Sequence, residues 1–119
     1  MTIYVTRNSK YEVTKIGELE AISANKGQNM GKPYGVVGFL DDDTPIEVIH
    51  VNNNLLFYST RNRTKEYIEY DDLPRFLEKT AERGKRIVAR LLTEEGKLSR
   101  VGMTPMDIMV TSGIQDILD

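Results

Sequence analysis

Apolar residues in this chain mostly alternate with polar ones or cluster in short blocks, and two later stretches repeat with the period of a helix. Tyr4-Val5-Thr6 and Tyr11-Glu12-Val13-Thr14 flank the polar Arg7-Asn8-Ser9-Lys10 and predict a first hairpin. Gly17 interrupts the pattern, and residues 18–25 fit both a short helix ended by Gly27 and another strand. Residues 27–35 read as a loop. Val36-Val37-Gly38-Phe39-Leu40 predicts a strand running into the turn Asp41-Asp42-Asp43-Thr44-Pro45. Residues 46–51 and 55–59 predict a hairpin closed by Asn52-Asn53-Asn54, which sets Ile49 opposite Phe57 and Val48 opposite Tyr58. Both faces of that pair then carry apolar groups, so a cover is expected on each side, and a second subunit is one candidate.

Residues 65–70 predict a further strand. Leu73, Phe76, Leu77, Thr80 and Ala81 then fall at i, i+3, i+4, i+7 and i+8 and predict a helix. Asp71 and Asp72 offer its N-cap, Pro74 suits its first turn, and Gly84 suits the left-handed position after it. Residues 85–93 and 97–102 predict a hairpin around Glu94-Glu95-Gly96. A last helix is expected from Thr104-Pro105-Met106-Asp107, with Met106, Met109, Val110, Ile114 and Ile117 as its apolar stripe. The fold class expected is α+β: a single domain over 1–119, mainly antiparallel sheet built from hairpins, with two or three short helices.

Composition narrows the chemistry. The chain has 119 residues, 16 Lys+Arg against 18 Asp+Glu and a net charge of −2. It has no cysteine and one histidine, which excludes disulfides, thiolate nucleophiles and multi-histidine metal sites. No apolar run reaches the roughly 18 residues of a membrane helix, and no signal peptide is visible, so a cytoplasmic location is the expectation. The glycines of 27–35 do not form a phosphate loop: three residues separate Gly27 from Gly31, and Pro33 follows Lys32. Asp41-Asp42-Asp43 reads as a solvated turn and His50 as a strand residue, with no nucleophile tied to it by a motif. An enzyme is therefore not the favoured reading, and no cofactor is implied.

The sharper signal is basic. In the expected 85–102 hairpin, Ile87, Ala89, Leu91 and Val101 share one face, while Arg86, Arg90 and Arg100 share the other, with Arg90 opposite Arg100. Like charges set opposite each other are destabilising, and the planar guanidinium fork matches phosphate or carboxylate. Arg61 and Arg63 form a second basic cluster near Tyr58, Tyr67 and Tyr70. Residues 75–100 hold eight basic and four acidic side chains. Nucleic-acid binding is disfavoured by the slightly acidic whole.

Two readings follow. One is a non-enzymatic binding protein that sequesters or senses an anionic ligand, such as a nucleotide or phosphorylated metabolite, through Arg86, Arg90 and Arg100 with Arg61 or Arg63. The other is an inhibitor or immunity-type protein that masks a macromolecular partner through its acidic turn at 41–43, edge strands or methionine-rich C-terminal helix. A homo-oligomer, by default a cyclic dimer, is expected in the first case.

Overall fold

The computed structural model describes residues 1–25, 32–41, 46–51, 54–59, 64–69, 75, 77–92 and 108–119, and from 41 to 69 it describes the backbone alone. In chain order the strands are β1 (Thr2–Thr6), β2 (Lys10–Ile16), β3 (Leu19–Ala24), β4 (Pro33–Asp41), β5 (Ile46–Val51), β6 (Asn54–Ser59), β7 (Thr64–Glu69), β8 (Lys85–Leu91) and β9 (Ile108–Leu118). Two sheets result. β1, β2, β3, β4, β8 and β9 form a closed antiparallel barrel, and β5, β6 and β7 form a three-stranded antiparallel sheet.

The first hairpin forms where expected, with Tyr4 opposite Tyr11. Its turn is fixed by Thr6, whose hydroxyl donates to the Ser9 carbonyl at 3.1 Å and accepts the Ser9 N–H at 3.3 Å. The ambiguity over residues 18–25 resolves to strand. Ile16 pairs with Leu19 across a two-residue turn, and Gly17 supplies the left-handed conformation (φ 65°) that such a turn requires. Tyr11, Ile22 and Ala24 then face inward together.

The expected helices are not found among the described residues, and the fold is antiparallel β rather than α+β. Over 77–84 the chain is extended and turning: Glu78 bridges Phe39, with Phe39 N–H donating to Glu78 O at 2.9 Å and Glu78 N–H to Phe39 O at 3.0 Å. The i, i+3, i+4 pattern there is overridden because pairing with the free edge of β4 satisfies backbone groups and places Leu77 over Gly38. Gly84 does adopt positive φ (85°), but it closes a turn before β8, not a helix. The C-terminal helix is replaced by β9, whose β-branched Ile108, Val110, Thr111, Ile114 and Ile117 suit a pleated surface. Pairing on both sides, with β8 and with β1, is what closes the barrel. The residues of the acidic turn beyond Asp41, and the start of that expected helix, lie outside the described residues.

Tyr4, Tyr11, Ile22, Ala24, Tyr34, Phe39, Ile87, Ala89 and Ile114 fill the barrel. Ile87 and Ala89 take up the inward positions of β8 that its alternation predicted. Outward residues of the same strand are covered too: Val88 is fully buried, and Leu40 and Leu77 are buried nearby in the fold. Around Val88 the outward face of β8 is thus covered as well, while Arg86 nearer its start is half-buried. In the second sheet the register pairs Val48 with Phe57 and Ile49 with Leu56. This is one residue from the expected pairing, because two residues, not three, connect β5 to β6.

Candidate functional site

Arg86 and Arg90 stand on the outward face of β8 with Val88 between them, as the alternation predicted. They are four positions apart, about 13 Å along the strand. Their surroundings differ. Arg86 donates from Nε to the Thr111 carbonyl on β9 at 2.8 Å, so part of its fork is engaged within the barrel. Arg90 is buried to 4% exposure.

The neighbours of Arg90 are not those expected. It stands opposite Gly35 on β4 and Ile108 on β9. β4 and β9 occupy the two edges of β8, where the expected hairpin put residues 97–102, which lie outside the described residues. Arg100, Arg61 and Arg63 lie outside the described residues. Lys85, at the start of β8, is neutralised locally: its Nζ lies 2.6 Å from Glu78 Oε2 and 3.5 Å from Glu82 Oε2. The hydrogen bond to Glu78 is the main reason its ammonium group titrates above the ordinary lysine value.

A second feature opens at one end of the barrel. β3 and β4 pair only over Ala21–Ser23 and Pro33–Gly35. Beyond that the strands part until Glu78 takes up the β4 edge at Phe39. Between these points lies an open cleft of about 260 Å³, lined by Glu18, Leu19 and Glu20 of the β3 side, Val36 to Phe39 of β4, and Lys79. Glu20 follows the inward alternation of Ile22 and Ala24, which carries its carboxylate to the barrel mouth. There Oε1 accepts the Tyr4 hydroxyl at 2.7 Å. Burial, reinforced by that bond and by the nearby carboxylate charge, holds the Tyr4 phenol well above its ordinary pKa.

The sequence reading did not single out Tyr4, Glu20 or Lys79. The available signal was a carboxylate at position 20 in a strand whose positions 22 and 24 are apolar. No group of three or more His, Asp and Glu stands within metal-holding reach among the described residues. Nor is any helix among them long and apolar enough to cross a membrane. Comparison with family models, with curated proteins and with solved structures returns no match.

Proposed function

We propose that this protein is a non-enzymatic, cytoplasmic binding protein that sequesters or senses an anionic ligand along the outward face of β8, acting as a homo-oligomer. The observation that supports this reading is Arg90, a guanidinium-bearing residue left only 4% exposed on a face turned away from the barrel core. The guanidinium fork carries five donors in a planar geometry that suits phosphate oxygens. Arg86, about 13 Å away on the same face, extends the site to a length that a diphosphate-bearing ligand spans better than a single phosphate.

Thermal melting with inorganic phosphate, pyrophosphate and ATP tests this. A bound ligand adds RT ln(1 + [L]/Kd) to the folding stability and so raises the melting temperature, and Arg90→Lys, which keeps the charge and removes the fork, lessens the rise. An unchanged melting temperature at millimolar levels of all three anions refutes it.

One observation favours a second reading, masking of a macromolecular partner. Among the described residues, the outer strands β5 and β7 each carry a ladder on one side only. Such edges accept an added strand from a partner. A stoichiometric complex that forms without any response to small anions distinguishes it from the first.

A further inference from the structure

We propose that β7 is a self-recognition edge, which pairs antiparallel with β7 of a second copy of this chain and joins the two three-stranded sheets into one. This gives the homo-oligomer of the reading above its interface, and the anion plays no part in it.

The barrel is closed, so it offers no edge strand for such pairing. In the second sheet β6 is laddered on both sides, which leaves the outer edges of β5 and β7 among the described residues. Each presents a row of backbone donors and acceptors that an added strand satisfies. The order of charges separates the two edges. β7 reads Thr64-Lys65-Glu66-Tyr67-Ile68-Glu69. A two-fold axis through Tyr67, perpendicular to the sheet, sets Tyr67 opposite the partner's Tyr67 and Lys65 opposite the partner's Glu69, twice over by symmetry. Positions 65, 67 and 69 share one face, so both charge pairs and the tyrosine pair fall on the same side of the joined sheet.

Opposite charges and aromatic pairs set across a ladder stabilise it, and like charges do the reverse. Moving the axis by one residue loses the match: about Glu66 that carboxylate meets its own copy, and about Ile68 it is Tyr67 that faces Glu69. Glu66, on the other face, stands opposite the partner's Ile68, with no like charge across the ladder. Charged residues on an edge strand usually guard it against pairing. That protection needs charges that repel when the strand meets its copy, and here they attract. β5 lacks this order: its one carboxylate, Glu47, falls opposite Ile49 with the axis at Val48 and opposite Val51 with the axis at Ile49. Pairing of β7 with β7 also closes at a dimer, whereas β5 added to β7 is head-to-tail and propagates.

Sedimentation velocity of the full chain in phosphate-free buffer tests this, from about 10 μM to about 1 mM, the range in which a small edge-to-edge interface assembles. A monomer–dimer equilibrium is expected. Lys65→Glu and Glu69→Lys each set like charges at both pairs and weaken it about tenfold or more. Mixed one to one, the two variants regain opposite charges at both pairs, and dimerisation returns, which also shows that both variants fold. Hydrogen exchange localises the contact: protection at amides of 64–69 rises with concentration, while that of 46–51 is unchanged. A monomer throughout overturns the proposal, as does a dimer indifferent to both reversals, an unrescued mixture, or added protection on β5 in place of β7. Arg90→Lys leaves this dimer intact, so loss of the anion response and loss of the dimer are separate outcomes.

Discussion

The hydroxyl of Tyr4 on β1 and the carboxylate of Glu20 on β3 meet at 2.7 Å across the width of β2, so a core side chain and a mouth side chain hold each other in place. Tyr4 is 4% exposed and Glu20 half-buried, so the bond is shielded from competing water. It is also the clearest point at which the barrel's packing determines the geometry of an outward-opening cleft.

Alkaline pH destabilises this protein from about pH 10. Burial raises the Tyr4 phenol, and burial likewise raises Tyr11, above the ordinary value of 10.0. Below that value both states keep the proton and full stability is present. Above it the unfolded chain ionises before the folded chain does, so stability falls, at a slope approaching about 1.4 kcal/mol per pH unit for Tyr4. Phenolate absorbance followed together with circular dichroism checks this: a fraction of the tyrosines ionises only as the fold is lost.

Thr111→Val destabilises by about 1–3 kcal/mol. The Thr111 hydroxyl accepts the buried Ile87 N–H at 3.0 Å and donates to the Ser112 carbonyl at 2.7 Å. Valine keeps the shape and leaves that amide without its acceptor. Urea unfolding measures the loss, and Thr111→Ser, which keeps the hydroxyl, recovers most of it.

Gly38→Ala also destabilises, by about 1–3 kcal/mol, through overpacking. A methyl group at Gly38 would lie 2.9 Å from the Glu78 carbonyl oxygen and closer still to Leu77 Cβ. Much of that obstacle is backbone, so a rotamer change does not relieve it. Equilibrium unfolding shows the cost, and weakened amide protection at Phe39 and Glu78 localises it to their bridge.

Arg83→Gln leaves stability within about 1 kcal/mol of the wild type. Its 2.9 Å ion pair with Asp116 joins side chains that are 74% and 44% exposed. Solvent and salt screen such a pair, in contrast to the buried bond of Thr111. Thermal melting of the variant at low and high salt checks this, with similar midpoints expected.

Much of the β architecture was legible in local pattern. The alternation at 4–6 and 11–14, the pair of strands around residues 46–59 and the inward set of β8 all stand as residue types predict. So does the outward placement of Arg86 and Arg90. The two helical stripes misled because a 3.6-residue pattern over a short segment has little strength of its own. Without a helix, Leu77 is buried against Gly38 and Ala81 is partly buried against the core. The stripe through Met109, Val110, Ile114 and Ile117 belongs to a strand with bulged pairing, in which alternation slips and resembles a longer period. The cleft was not legible, because Glu20 and Lys79 are 59 residues apart in sequence.

By itself the sequence determined the first hairpin, the two strands within 46–59, the left-handed conformation of Gly84 and the inward positions of β8, since each depends on a residue and its near neighbours; it left 18–25 open and read the β9 segment as a helix. Tertiary structure alone decided that β9 closes a barrel, that Arg90 stands between Gly35 and Ile108, and that Glu20 meets Tyr4. Strand partners are chosen by which unpaired backbone edges and apolar faces remain to be satisfied once the whole chain has folded, and that choice is not encoded within any one segment.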